Sequence, residues 1–132
     1  MSTQPSSQTT NGIRVSVRTA YIKDESSPAR NEYVFAYQIE IHNESPHVVQ
    51  LLSREWYIID AFGSKRKVKG PGVVGKQPVI HPGKSHSYVS GVNFNSPAGK
   101  MYGYYTMRRQ IDGSTFLVSI PDFTMLAPVI MN

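Results

Sequence analysis

The sequence predicts an all-β fold, a sandwich of two antiparallel sheets. Three observations carry this prediction. Apolar and polar residues alternate with period 2 in run after run, no segment sustains a 3.6-residue period, and nine prolines and ten glycines punctuate about eight short runs. In 132 residues this is most simply one domain, long enough to bury a core without disulfides or structural metals.

Taken in order, residues 1 to 12 are Ser, Thr, Gln and Asn with almost nothing to bury, and read as a disordered polar tail. The domain is expected over residues 13 to 128. Ile13, Val15, Val17, Thr19 and Tyr21 share one strand face, with Arg14, Ser16 and Arg18 on the other. Ser26, Ser27 and Pro28 interrupt the pattern. Tyr33, Phe35, Tyr37, Ile39 and Ile41 then form the clearest half-buried strand, backed by Gln38, Glu40 and His42. Further strands are expected at 48 to 52, 55 to 61, 65 to 69, 85 to 90, 101 to 108 and 115 to 120. Hairpin turns fit Asp60 through Gly63 and Ile111 through Ser114, the second on an Asp-Gly signal. Phe35 and Trp56 are the natural core anchors.

Charge is informative in its distribution. Residues 1 to 60 hold five of the 14 basic residues and seven of the nine acids; residues 61 to 111 hold nine basic residues and no acid. A stretch of that sign suits an anionic partner such as phosphate, nucleic acid or an acidic protein surface, or else a solvated basic face. The absence of cysteine excludes disulfides, zinc thiolates and a Cys nucleophile and fits a reducing compartment, with the cytoplasm as the default. No signal peptide is expected, and no stretch nears the ~18 apolar residues of a membrane span.

Gly70, Gly72 and Gly75 have the G-x-G-x-x-G spacing of dinucleotide sites. Such a site needs a helix after the glycines and an acid about 20 residues on, yet Pro78 and Pro82 follow at once and no carboxylate occurs before Asp112. Gly70 with Gly75 and Lys76 also approaches a P-loop, but Gln77 stands where a hydroxyl should ligate magnesium. Two readings remain: a turn using glycines for positive φ, which is favoured, or an anion-binding loop of backbone amides with Lys67, Lys69 and Lys76 around it. Lys65, Lys67 and Lys69 fall on one strand face, as a polyphosphate would require.

Catalytic machinery is not visible. His42, His47, His81 and His86 make no metal-ligating spacing, though Glu44 between the first two leaves room for a weak divalent site. Ser85, His86 and Ser87 lack a carboxylate for a triad, and Glu55 and Asp60 lie at opposite ends of a strand. Tyr102, Tyr104 and Thr106 should face outward while Met101, Gly103, Tyr105 and Met107 face the core. Outward tyrosines beside cations suit protein contacts or base stacking, or else cross-strand packing.

Four segments, QLLSREWYIIDAFG at 50 to 63, VKGPGVVGKQPVIHPGKSHSYVSG at 68 to 91, SPAGKMYGYYTM at 96 to 107 and FLVSIPDFTMLAP at 116 to 128, strongly resemble the bacterial ApaG family. The resemblance implies a fibronectin type III-like or immunoglobulin-like sandwich. It also implies a link to cobalt resistance and magnesium efflux, and a gene neighbouring a diadenosine tetraphosphate hydrolase. Similar domains in eukaryotic F-box adaptors and a polymerase delta-interacting protein imply a protein-interaction module. The expected function is therefore a non-enzymatic binding or regulatory module, without cofactor or metal, acting through a protein partner. The alternative is a nucleotide or dinucleoside tetraphosphate sensor using Gly70, Gly72, Gly75, Lys67, Lys69 and Lys76. A soluble domain could affect ion transport only indirectly, and exposed strand edges leave room for a homodimer.

Overall fold

The computed structural model describes residues 6 to 128. Among these residues nine strands are formed: β1 (Ser6–Thr10), β2 (Ile13–Tyr21), β3 (Tyr33–Asn43), β4 (Val49–Asp60), β5 (Lys65–Pro71), β6 (Val79–Ile80), β7 (Ser85–Phe94), β8 (Ala98–Arg109) and β9 (Thr115–Leu126). Two single-turn 3-10 segments, Lys23–Glu25 and Pro28–Arg30, fill the interruption between β2 and β3. The first sheet has the order β1-β2-β3-β7; the second has β5-β4-β8-β9, with β6 pairing β4 beside β5. All pairings are antiparallel, and the architecture is the fibronectin type III-like sandwich expected.

The alternation read in the sequence becomes burial. Ile13, Val15, Val17, Phe35, Ile39 and Ile41 of the first sheet meet Leu51, Trp56, Met101, Tyr105 and Met107 of the second. Trp56 stands edge-on to Phe123 at 5.8 Å and to Tyr37 at 5.5 Å, so the two anchors' sheets are locked through an aromatic cluster. Asn43, wholly buried, donates through Nδ2 to the carbonyls of His47 and Ile80 and accepts from Ser45 through Oδ1. That leaves no polar atom of the amide wasted in the core.

Two expectations need correction. Residues 6 to 10 are a strand rather than disordered tail: β1 pairs β2 from Ser6↔Val17 to Thr10↔Ile13 through a tight turn at Asn11 and Gly12, both at positive φ. A ladder needs main-chain groups and a turn that permits them, and apolar content does not report either. Residues 1 to 5 of that expected tail lie outside the described residues. The strands expected at 48 to 52 and 55 to 61 are one strand, β4, whose pairing with β8 slips between Leu51 and Ser53. The bulge there shifts which side chains face inward, so alternation breaks without the strand ending.

The sandwich has two dissimilar sides. On one, β1 and β2 pack against β9, and Thr10 Oγ1 accepts the Ser119 amide at 3.4 Å. On the other, the edges of β5 and β7 face each other, bridged where Arg66 Nη2 donates to the Asn93 carbonyl at 2.6 Å.

Candidate functional site

The glycine-rich segment turns a corner at the edge of β4. The Gly72 amide donates to the Leu52 carbonyl, and the amides of Val73 and Lys76 donate to each other's carbonyls at 2.7 and 3.0 Å. Val74 and Gly75 between them have φ of 46° and 74°, a two-residue turn with both central residues left-handed. Val73 plugs into the core while Val74 is exposed. Arg54 supports the loop from below: its Nη1 donates to the carbonyls of Pro71 at 3.0 Å and Gly72 at 2.9 Å. Three amides that an anion would need are thus engaged within the protein.

The lysines of β5 lie along the strand that leads into this loop. Lys65, Lys67 and Lys69 share one exposed face of β5, as alternation predicts, and that face continues onto β4 and β8. There they meet a carboxylate. Glu55 Oε2 accepts the hydroxyls of Tyr57 and of Tyr104, the latter at 2.7 Å; Lys67 Nζ lies 3.7 Å from Oε2 and Lys69 Nζ 3.8 Å from Oε1. Lys76 closes the turn itself, and its charge adds to the larger effect of burial in lowering the affinity of the His86 imidazole, on the opposite sheet, for a proton.

Electrostatics follow from this geometry. Hydrogen bonds from Tyr57 and Tyr104 hold the Glu55 carboxyl below its ordinary range, with the two lysines acting in the same direction. In return, the bond to Glu55 pushes the Tyr57 phenol up to about 12 and raises that of Tyr104. Next to this cluster Tyr57 and Tyr102 stack at 5.1 Å, with Lys65 Nζ 5.2 and 5.6 Å from their two ring centres. The outward tyrosines expected from the sequence are therefore outward, and their neighbours are cross-strand partners.

Sequence reasoning missed Glu55 as the centre of this face. The signal was present: counting back from the hairpin turn at 61 to 64 sets Ile59 against Lys65 and hence Glu55 against Lys69. The remaining candidates are dispersed. His42 Nδ1 lies 2.6 Å from Ser85 Oγ, and Glu44 forms an ion pair with Arg14 at 2.8 Å. Among the described residues no three His, Asp or Glu side chains converge as a metal site would need.

A cleft of about 230 Å³ opens between the facing edges of β5 and β7. Its floor is Trp56, Ile58, Val92 and Met101, and Arg54, Arg66 and Ser90 stand around it.

Comparison with known proteins places the chain in a family. The chain is 49% identical over 119 residues to the Protein ApaG of Mesorhizobium japonicum, covering 90% of this chain and 91% of that one. It is 48% identical over 122 residues to the Protein ApaG of Paramagnetospirillum magneticum, covering 92% and 93%. A crystal structure described as an ApaA protein from Bordetella pertussis superposes with a TM-score of 0.85 at 38% identity, over 88% of this chain and 94% of that one. A family model described as the ApaG domain matches residues 23 to 109, from the first 3-10 turn to the end of β8, and the chain belongs to the ApaG domain family.

Proposed function

We propose that this protein is a non-enzymatic binding module whose contact face is the lysine and tyrosine surface around Glu55. The observation that carries the reading is the direction of the perturbed titrations. A general base or acid works best with its pKa near the operating pH. Here the Glu55 carboxyl is held down and the Tyr57 and Tyr104 phenols are held up, each away from neutrality by the other. Such a cluster fixes a charged surface in one shape. The partner is a protein, and the link to cobalt and magnesium efflux runs through it. Among the described residues no helix is long and apolar enough to cross a membrane. A cytoplasmic location is in keeping with the cysteine-free sequence.

The test is a cell in which the chain carries Lys67→Glu and Lys69→Glu. Cobalt sensitivity equal to that of a deletion, from a folded variant, is expected; wild-type resistance would overturn the reading.

A second reading, a nucleotide or dinucleoside polyphosphate sensor, draws on the exposed lysine row that leads into Gly70, Gly72 and Gly75. An amide NMR titration with Mg-ATP and diadenosine tetraphosphate tests it. Saturable shifts at those glycines and at Lys76, lost in a Lys69→Ala, Lys76→Ala variant, would favour the sensor. Unmoved amides at millimolar ligand would dismiss it.

A further inference from the structure

Among the described residues β7 is bonded to β3 alone, so its other side is an open edge there. The direction of its main-chain groups follows from two contacts. Lys84 O, just before the strand, accepts the Asn43 amide of the β3 side, whereas Asn93 O accepts Arg66 from the opposite side. In an antiparallel pair the N–H and C=O of one residue point the same way and successive residues alternate. The β3–β7 register runs without a slip, so Ser87, Val89 and Gly91 turn their N–H and C=O groups outward.

Sheet edges are usually guarded by charge or proline. The edge of β5 is guarded in this manner, by three lysines and Pro71, while SHSYVSG over 85 to 91 contains neither an ionised side chain at neutral pH nor a proline. The cleft beside it is floored by apolar side chains and flanked by two guanidiniums. Arg66 gives one nitrogen to Asn93 O, and Arg54 gives one to the glycine-rich loop. A guanidinium has five donors, so both retain donors for an incoming group.

We infer that an extended acidic peptide segment of a partner adds as a strand to the open edge of β7, placing a carboxylate in the cleft between Arg54 and Arg66. Alternate side chains of an added strand point to opposite faces, so every second one enters the cleft. Charge selects this occupant over a second copy of the chain. Residues 61 to 111 contain no acid, and two copies joined at β7 would bring the same arginines and Lys84 together. The inference rests on the partner-binding reading above but not on the efflux link or on the face around Glu55. A peptide measurement in solution therefore succeeds or fails independently of the cell assay.

The experiment titrates the full chain with a capped octapeptide of alternating Thr and Glu, followed by amide NMR. Saturable shifts at Ser87, Val89 and Gly91 are expected. The same peptide N-methylated at alternate residues keeps its charge but loses its ladder donors, and should bind about tenfold more weakly or worse. Arg66→Gln should weaken binding several-fold. Val89→Pro removes an outward N–H that the fold does not use, so the variant should fold normally and lose the peptide. Equal affinity for the N-methylated peptide, undiminished binding to Val89→Pro, or no saturable shift at millimolar peptide would each overturn the proposal. So would shifts centred on Lys65, Lys67 and Lys69.

Discussion

The hydroxyls of Tyr88 and Tyr105 lie 2.6 Å apart, one from each sheet, and Tyr105 has no exposed surface. This bond joins β7 to β8 through the core and satisfies a phenol that has no access to water. Replacing Tyr88 by Phe leaves the Tyr105 hydroxyl unpaired, which should lower stability by about 1–3 kcal/mol in urea unfolding. Changing both residues to Phe should restore part of that loss, because it removes both desolvated groups. Strict additivity of the two single losses would show that the hydroxyls do not couple.

Glu55 sets the acid limit of this surface. Its carboxyl titrates below the ordinary value of 4.5 in the folded state, so its contribution is fully present above that value and is lost as pH falls through the folded pKa. Tyr57 acts at the other end. Its phenol is raised from 10.0 to about 12, so the folded state loses stability as pH climbs between those values. Glu55→Gln should flatten both limbs of a plot of urea midpoint against pH. Unchanged limbs would locate the titrating groups elsewhere.

Gly72 and Gly75 both have positive φ, yet they should respond differently to substitution. A Cβ on Gly72 would lie 2.1 Å from the Lys76 carbonyl oxygen, while one on Gly75 would meet nothing within 4 Å. Gly75→Ala is expected to cost about 1 kcal/mol, the penalty of the left-handed backbone. Gly72→Ala adds a backbone clash and should cost roughly 2–4 kcal/mol. Thermal unfolding of the two variants decides, and equal losses would contradict the geometry.

Val74 occupies the turn at φ 46° with its side chain in solvent, a conformation that branched residues resist. Val74→Asn should therefore stabilise the protein by about 0.5–1 kcal/mol, since Asn tolerates this region and Asn-Gly suits the turn. A fall in melting temperature would mean that Val74 makes a compensating contact.

Much of the fold was legible because one-sided burial writes itself into period 2, as Tyr33 through Ile41 show. Legibility failed where main-chain bonding alone decides. β1 contains no apolar side chain, and the bulge after Leu51 displaces the pattern instead of ending it. At the site, alternation within β5 correctly grouped Lys65, Lys67 and Lys69. It could not show that Glu55 lies opposite Lys69, which is a matter of register between strands. Lys76 closes the two-residue turn with Val73, and its charge is felt by His86 across the sandwich, a relation between sheets that alternation within one strand does not report.

The paired β1 bears on where the gene is best cut for expression. Trimming to Ile13, where β2 begins, would strip β2 of one of its two neighbours and remove Thr10 from the Ser119 amide. The shortened product would carry a freshly bared strand beginning Ile-Arg-Val-Ser-Val, and such material is prone to precipitate by pairing with itself. Versions of the chain beginning no later than Ser6 keep β1 paired.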